Sequence, residues 1–385
     1  MLNFRKSVLL CLIFLLCTVS AEAATWRVEK DGSGDFTVIQ HAVDAAIDGD
    51  TILIGPGRFD DFEPYNSGHW IEDIVVVIRY KNNLTLIGST DGETIIGPKE
   101  YYDPYGENPQ VIMGSHSSNI KFENLKVENC DFGIIWNSGS LSVSNCTVSH
   151  CYRGIYSLTP DGTHVENSEF FQQGGWSIGT NGECQDITIV DSSFHGYGIG
   201  IGFNNTLNAL VTSCTFEDLW TAVQYSQASS GIVTSCIGSN VENSIYITTG
   251  SQVQLVDNFL EATIFSSLWV ESGSYVFGTG NIFSGGSMEL GTLFFSSQST
   301  SGLFDNHILK GEGPAVTLNY YFYEHVEVDL SNNYWGTTDI ETIEDWIFDG
   351  NDDSSIHGTV TFLPLADGPV STESATLDKV KAMYR

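Results

Sequence analysis

Seven eight-residue segments of this sequence align on one another, and their spacing decides the fold. They are LKVENCDF (125–132), LSVSNCTV (141–148), THVENSEF (163–170), ITIVDSSF (187–194), ALVTSCTF (209–216), GIVTSCIG (231–238) and VQLVDNFL (253–260). Their fifth residue recurs at steps of 16, 22, 24, 22, 22 and 22 residues. A fixed period of this kind is typical of proteins built from stacked repeats.

The pattern within each segment predicts strands rather than helices. Positions one and three are mostly apolar and the residues between them mostly polar, as in a strand with one buried face. Position five is Asn, Asp or Ser, which favour bends. A repeat of about 22 residues holds two or three short strands but is too short for a strand–helix–strand unit. We therefore predict an all-β right-handed parallel β-helix solenoid, with position five stacked as a polar ladder at ~4.8 Å intervals.

The aligned segments resemble those of the pectin-lyase-like β-helix superfamily, which includes bacterial secreted and surface β-helix repeat proteins. The N-terminal segment DGSGDFTVIQHAVDAAIDGDTILIGPGRF (31–59) carries the same resemblance, which implies a short helix capping the first coil. The residues also predict that helix, with Asp35 as its N-cap and apolar residues at helical spacing. Those apolar residues are Phe36, Ile39, Val43 and Ile47.

The chain divides into four predicted segments. Residues 1–23 have the charged start, apolar stretch and small-residue cleavage site of a signal peptide. Residues 24–115 form the N-terminal cap and first coils, and 116–365 the β-helix repeats and C-terminal cap. That second cap combines a helix over 340–348, with Ile343, Trp346 and Ile347 inward, and a strand over 359–363. Residues 366–385 read as linker and tail.

Charge and composition restrict the partners. The net charge is −33, and no Lys or Arg occurs from Gly154 to Leu309. Because nucleic acid needs cationic contacts to phosphate, it is excluded as a partner. No second stretch is long and apolar enough to span a bilayer once the signal is removed. We expect a secreted or cell-surface protein, periplasmic or extracellular.

Four cysteines share position six of their segments: Cys130, Cys146, Cys214 and Cys236. The predicted stacking places Cys130 beside Cys146 and Cys214 beside Cys236, with Cα atoms ~5 Å apart, inside the range for disulfides. Export would permit those bonds. The alternative is a column of small residues in a turn, because Ser or Asn holds this position elsewhere.

The enzymes of the superfamily imply motifs that this sequence matches only in fragments. Pectin methylesterases use QD and DFxFG segments, and Gln185-Asp186 has no arginine within reach downstream. Polygalacturonase motifs are missing apart from His195-Gly196. Pectate lyases need calcium-binding carboxylates beside a basic residue, for which the N-terminal cations remain: Arg79, Lys81, Lys121, Lys126 and Arg153.

A hydrolase of neutral sugars needs only two carboxylates about 5 to 9.5 Å apart. Neighbouring coils offer such pairs, although a surface this acidic also produces them by chance. The candidates are Glu166 and Glu169 with Asp186 and Asp191, and Glu217 with Asp218.

Two sets of residues are candidates for binding. Alternation along the second strand of each coil places Tyr156, Gln224, Tyr246 and Trp269 on one outer row, where the rings could stack on sugars or simply reflect strand preference. Near the C-terminus, Asp349, Asn351 and Asp353 crowd oxygen ligands into a turn that suits Ca²⁺ or is merely solvated. An EF-hand would need Glu where Val360 stands.

Two functional hypotheses follow. The first is a non-catalytic extracellular or surface scaffold that binds polysaccharide or another extracellular partner. The alternative is a carbohydrate-active enzyme, a polysaccharide lyase, glycoside hydrolase or pectin esterase-like protein, whose site the family motifs do not reveal.

Overall fold

A computed structural model describes residues 22–66, 71–100, 109–159, 161–171, 174–319 and 326–369. The predicted signal peptide and most of the predicted tail lie outside these ranges. Within them, no helix is both long and apolar enough to cross a membrane.

The described residues form a parallel β-solenoid with three faces, called A, B and C in the order in which each coil visits them. Face A is a sheet of 14 strands. Its strands are Thr25–Val28, Thr51–Ile54, Thr85–Gly88, Ile120–Glu123, Leu141–Ser144, Thr163–Glu166, Thr188–Val190, Ala209–Thr212, Ser230–Thr234, Gln252–Val256, Tyr275–Thr279, Thr300–Leu303, Val326–Asp329 and Gly358–Thr361.

Two long strands, Lys126–Trp136 and Thr147–Ser157, run through both face B and face C. The other strands of face B are Gly57–Phe59, Thr94–Ile96, Glu169–Phe171, Ser193–His195, Thr215–Glu217, Ile237–Val241, Phe259–Ala262, Ile282–Gly285 and His307–Ile308. Those of face C are Glu63–Asn66, Ile71–Arg79, Gln110–Ser115, Trp176–Thr180, Ile199–Asn204, Thr221–Ser226, Asn243–Ile247, Leu268–Val270, Leu293–Phe295, Val316–Leu318 and Ile347–Phe348. A two-stranded sheet joins Cys184–Gln185 to Thr206–Leu207.

The predicted stacking is confirmed from the second segment onward. Position three pairs directly from coil to coil through Val143, Val165, Ile189, Val211 and Val233, all of them fully buried. The apolar residue at position eight forms a second column, in which Phe170, Phe194 and Phe216 stack with centroids 5.0 Å apart. These columns fill the core, so burial of like side chains on like holds the coils together.

The first segment is one strand out of register. Leu141 pairs with Ile120, so the matching segment begins at Ile120 rather than at Leu125, and the step of 16 becomes 21 residues, from Asn124 to Asn145. The error arose because Asn129 also lies in a bend, with φ of 62°. One coil therefore contains two Asn turns, and LKVENCDF imitates the repeat.

The buried polar ladder lies at position six, not at position five as predicted. Position five adopts the left-handed conformation, for example φ of 52° at Asn145 and 46° at Asn167, and is exposed or half-exposed. Asn, Asp and Ser tolerate this conformation. The bend it creates turns the next side chain inward, where the column reads Leu125, Cys146, Ser168, Ser192, Cys214, Cys236, Asn258, Asn281, Asn306 and Asn333.

The last four members of this column form a continuous asparagine ladder. Each Oδ1 accepts the backbone N–H of the residue one coil earlier: Asn281 from Asn258 at 3.1 Å, Asn306 from Asn281 at 2.9 Å, and Asn333 from Asn306 at 2.8 Å. The Nδ2 groups make a parallel set of bonds to the same oxygens at 2.8 to 3.0 Å. The side-chain oxygen and nitrogen of each asparagine in the ladder thus have partners, as burial requires.

Both ends carry the predicted caps, with shifted boundaries. The N-terminal helix is Ile39–Ala45 with Val38 as N-cap, because Asp35 instead accepts the N–H of Arg27 at 2.9 Å. Ile39 and Val43 are buried as predicted, but Ile47 is 47% exposed. The C-terminal helix is Ile340–Glu344 and buries Ile343. It ends before Ile347, which continues as a strand of face C.

Two buried charged groups fix the N-terminal coils. Asp50 accepts the N–H of Ala24, of Ile47 and of the Trp26 indole at 2.7 to 2.9 Å. Burial raises the pKa of Asp50, but these three donors together bring it below its usual value. Glu128 pairs with Arg58 at 2.5 Å and with Lys126 at 3.1 Å. Burial raises the pKa of Glu128 as well, and the two cations lower it below its usual value.

Candidate functional site

One outer row of face C gathers most of the candidate binding residues. The row runs through residues that pair directly from coil to coil: Met113, Ile135, Tyr156, Gly179, Gly202, Gln224, Tyr246, Trp269 and Phe294. The structure thus places Tyr156, Gln224, Tyr246 and Trp269 on one row, as the alternation predicts. The aromatic residues form two clusters along this row. Gly179, Gly202 and Gln224 lie between the two clusters.

The first cluster is built around Arg153. Its guanidinium carbon lies 4.6 Å from the ring centroid of Phe132, 5.1 Å from Tyr152, 5.4 Å from Tyr156 and 5.5 Å from Trp176. Such stacking of a guanidinium on ring faces is favourable and holds the group in place. Its Nε is buried without a hydrogen-bond partner among the described residues. The cluster therefore holds the guanidinium against four aromatic rings, with its Nε–H buried and unpaired among the described residues.

Asp131 lies beside this cluster and is half-buried. Burial raises the pKa of Asp131, and the positive charge of Arg153 opposes that shift in part. A carboxyl group whose pKa is raised by a specific environment marks a candidate functional residue, although structural groups show such shifts too.

Next to the Arg153 cluster the row contains two glycines, Gly179 and Gly202, which together are called the floor. Trp176 stands one coil above Arg153 in register, and its ring lies nearly parallel to Tyr156, with centroids 6.1 Å apart and planes 10° apart. A Cβ on Gly202 would come within 3.0 Å of the Trp176 indole, and one on Gly179 within 3.3 Å of Trp176 and Tyr156. The two glycines thus leave the space beside the row that the indole occupies.

The second cluster surrounds a carboxylate. Glu271 accepts hydrogen bonds from the Tyr246 hydroxyl at 2.5 Å, the Thr248 hydroxyl at 3.2 Å and the Trp269 indole N–H at 3.0 Å. Burial, followed by the neighbouring Glu271, raises the pKa of Tyr246 well above its usual value. Trp269 also packs edge-on against the buried ring of Phe294, with centroids 5.1 Å apart. The hydroxyl of Tyr246 and the indole N–H of Trp269 are therefore both hydrogen-bonded to Glu271.

The sequence pattern does not reveal Phe132, Trp176 or Glu271 as binding residues, and it marks Arg153 only as one of the N-terminal cations. Phe132 and Trp176 belong to the neighbouring row of face C, in register with Arg153, and contact the side chains of the first row. Alternation along a single strand does not reveal contacts between rows. The signal that was available is the pair of glycines at row positions, since an empty row position invites a neighbouring ring.

The predicted carboxylate pairs do not lie on this row. Glu169 and Glu217 flank His195 on the outer surface of face B, at 3.9 Å from Nε2 and 3.7 Å from Nδ1. Asp186, Asp191 and Asp218 instead occupy left-handed turn positions. Of these, Asp186 and Asp218 accept hydrogen bonds from the side chains of Asn208 and Asn240.

Two of the predicted calcium ligands, Asp349 and Asp353, accept hydrogen bonds from within the chain. Asp349 is 2% exposed, and its two oxygens accept the backbone N–H groups of Asn351 and Val360 at 2.8 Å each. Asp353 accepts from the backbone and hydroxyl of Ser355, and these bonds lower the pKa of Asp353. Among the described residues, no three His, Cys, Asp or Glu side chains are grouped so as to hold a metal ion.

The cysteines differ from the prediction at the first pair. Cys130 pairs in register with Cys151, whereas Cys146 stands above Leu125 in the position-six column. Cys214 and Cys236 are neighbours in that column, as predicted. All six described cysteines are buried.

Comparison with known proteins agrees with this architecture. Residues 132–264 match the family model for the right-handed β-helix region. The chain folds as a right-handed parallel β-helix. An alginate lyase from Paenibacillus sp. str. FPU-7 superposes with a TM-score of 0.50 and 12% identity, over 72% of this chain and 99% of that one. The periplasmic alginate epimerase AlgG gives a TM-score of 0.53 and 12% identity, over 74% of this chain and 76% of that one.

A search of curated protein sequences found no significant match. At 12% identity the structural similarity establishes the β-helix fold alone, which is also the fold predicted from the repeats.

Proposed function

We propose that this β-helix is an exported, non-catalytic protein that binds a polysaccharide along the outer row of face C. The observation that carries the proposal is the placement of two aromatic clusters on one row, with Gly179, Gly202 and Gln224 between them. The two similar structures named for alginate chemistry, one of them periplasmic, support a polysaccharide ligand and an exported location.

The dimensions of the row fit an extended chain. Tyr156 and Tyr246 are separated by four steps of the register, which corresponds to ~19 Å at the spacing of parallel strands. Ring faces at both ends can cover the apolar faces of sugars, while Arg153 and Gln224 offer hydrogen-bond donors between and beside them. Because the rows are part of a rigid sheet, little order has to be gained on binding.

The charge distribution favours a neutral polysaccharide. The coils from Gly154 to Leu309 contain no Lys or Arg, and the whole chain carries a net charge of −33. A polyanion along this row would meet Arg153 at one end and a negative potential over the rest. A neutral chain avoids that repulsion and still uses the rings.

Binding to a panel of neutral polysaccharides (xylan, mannan, β-glucan) and of polyuronates (alginate, polygalacturonate) tests the proposal. Removal of the rings in Trp176→Ala and Trp269→Ala should each weaken binding of the neutral ligand about tenfold, the equivalent of ~1.4 kcal/mol. Tyr275→Ala is the matched control, because Tyr275 is an exposed aromatic residue stacked on Phe277 on the opposite face A. Binding that survives both row variants, or that falls equally in the control, contradicts the proposed site.

One observation favours the alternative of a hydrolase. Glu169 and Glu217 lie on either side of His195, two steps of the register apart, which is ~9.6 Å at the strand spacing. That separation is close to the upper limit for an inverting pair of carboxyl groups. The same panel should be assayed for new reducing ends and unsaturated products. Turnover that is lost in Glu217→Gln and kept in Asp186→Ala would replace the non-catalytic proposal with a hydrolase on face B.

A further inference from the structure

We propose that Cys130 and Cys151 form a disulfide bond that ties two successive coils together directly beneath the Arg153 cluster. This pairing differs from the one that the repeat pattern predicts for Cys130, and it does not depend on the proposed function.

The backbone places the two thiols opposite each other. Cys130 and Cys151 are register partners in the parallel strands Lys126–Trp136 and Thr147–Ser157. Parallel neighbours have Cα atoms ~4.8 Å apart, within the 4.4–6.8 Å that disulfides span. The two Sγ atoms lie 2.9 Å apart, and both residues are at most 1% exposed.

The cysteines of the position-six column are used differently. Cys146, Cys214 and Cys236 each donate to the carbonyl oxygen two residues earlier, at 3.2 to 3.3 Å, and to a carbonyl of the preceding coil at 3.7 to 3.8 Å. They therefore take the place that Ser or Asn takes elsewhere in the column. Cys130 and Cys151 lie outside that column. The Cys151 thiol also donates to the carbonyl oxygen of Ser149 at 3.3 Å, but its shortest contact is with the Sγ of Cys130 at 2.9 Å. Cys214 and Cys236 also contact each other, but each has carbonyl partners in its own coil and in the preceding one.

Burial decides when the bond can form. Burial raises the pKa of Cys130 well above its usual value, and the contact with Cys151 adds to the shift. A thiol in that state is a poor nucleophile. The bond must therefore form while the coils are still closing. It then joins the residue before Asp131 to the residue before Tyr152, so that it fixes the spacing of the first two of the three coils that carry the Arg153 cluster.

The chemistry is a thiol–disulfide exchange with an oxidant that itself carries a disulfide. The thiolate of one cysteine attacks the oxidant, which releases one thiol. The second cysteine then attacks the mixed disulfide and releases the other thiol. Two protein thiols lose two protons and two electrons in total, and the oxidant's disulfide takes them up to become two thiols. Oxidised glutathione serves as this oxidant in vitro.

Tryptic peptide mapping tests the proposal without requiring a variant. Because Lys126 and Arg153 are successive cleavage sites, one peptide (127–153) contains Cys130, Cys146 and Cys151. The full chain is refolded in glutathione buffer, alkylated under denaturing, non-reducing conditions, and digested. We expect this peptide to carry a single alkyl group, on Cys146, and to be lighter by two hydrogens than its reduced form.

Two variants identify the partner. In Cys146→Ser the peptide should keep its cross-link and carry no alkyl group, and in Cys151→Ser it should lose the cross-link and carry two. Three alkylated cysteines in the wild-type peptide would overturn the proposal. A cross-link that persists in Cys151→Ser, or that disappears in Cys146→Ser, would show that Cys146 is the partner and would overturn it equally.

Discussion

Replacing Asn281 by Ala should cost far more stability than any exposed asparagine does. Asn281 is fully buried in the asparagine ladder. Its Oδ1 accepts the N–H and the Nδ2 group of Asn258 at 3.1 and 2.8 Å. Its own Nδ2 donates to Leu255, Thr279 and Asn306 at 2.8 to 3.2 Å. The substitution therefore removes five hydrogen bonds from a site that water does not reach.

The loss in free energy of unfolding depends on which hydrogen bonds the partners of Asn281 retain in the variant. The backbone N–H of Asn258 is left buried without an acceptor, which costs about 2 kcal/mol. The side chains of Asn258 and Asn306 each retain another hydrogen bond, so the remaining four losses together add about 2 kcal/mol. The expected total is ~4 kcal/mol, a large share of the 5–15 kcal/mol typical of a folded domain.

Urea unfolding followed by circular dichroism gives the overall change, and hydrogen exchange at the Asn258 amide gives the local one. Asn181→Ala is the matched control, because Asn181 is exposed and its side chain accepts only one long hydrogen bond, 3.5 Å from Asn204. Its effect should stay within about 0.5 kcal/mol. If the two variants unfold at the same urea concentration, or if the Asn258 amide keeps its protection in Asn281→Ala, the reasoning about the ladder is wrong.

Three other perturbations test the N-terminal coils and the floor. Glu128→Gln should lower the urea midpoint at neutral pH. The pKa of Glu128 is below its usual value, so its charge stabilises the fold above the ordinary glutamate pKa, and this stabilisation is lost as the pH falls through the lowered pKa. The difference in urea midpoint between wild type and variant should therefore shrink on acidification. A difference that stays constant with pH would contradict a role for the ion pair with Arg58. Asp50→Ala leaves three N–H donors without an acceptor and should lower the free energy of unfolding by about 2–4 kcal/mol. An unchanged melting temperature would refute this. Gly202→Val should displace the Trp176 indole and weaken polysaccharide binding about threefold to tenfold with little change in melting temperature; unaltered affinity would show that the floor is not used.

The sequence predicts the solenoid because its period is carried by many residues at once. Alternation in each strand, a bend-forming residue and a returning apolar residue all recur together, so a single local error does not disturb the rest. The register of the first coil failed for a local reason, since Asn124 and Asn129 are both turn residues in one coil. That slip also gave Cys130 the wrong neighbour.

The polar ladder was assigned to the wrong position because two adjacent residues have opposite roles in the same bend. Position five supplies the backbone conformation, and position six supplies the buried side chain. Asn occurs at both, for example at Asn167 and Asn258, so residue type alone does not separate them. The left-handed φ values separate them at once.

The binding row was predictable only in part. Alternation identified Tyr246 and Trp269, which point outward from their own strands. It does not reveal contacts that run between coils and between registers, such as the Trp176 indole over Gly202 or the carboxylate of Glu271 under Trp269. Those contacts depend on side-chain direction across several coils, which a one-dimensional pattern does not contain.

The composition of the position-six column gives the solenoid a mechanical polarity. In the coils with Ser168, Ser192 and Cys214, a single hydroxyl hydrogen bond or a long thiol contact of 3.7 Å joins each turn to its neighbour. From Asn258 to Asn333, successive turns share two hydrogen bonds through a single oxygen. Under tension between its ends the protein would shed coils one by one, and the middle coils would yield at lower force than the asparagine-linked ones. If the chain is held at a surface by its C-terminal end, the strongest hydrogen-bonded links would then lie nearest the anchor.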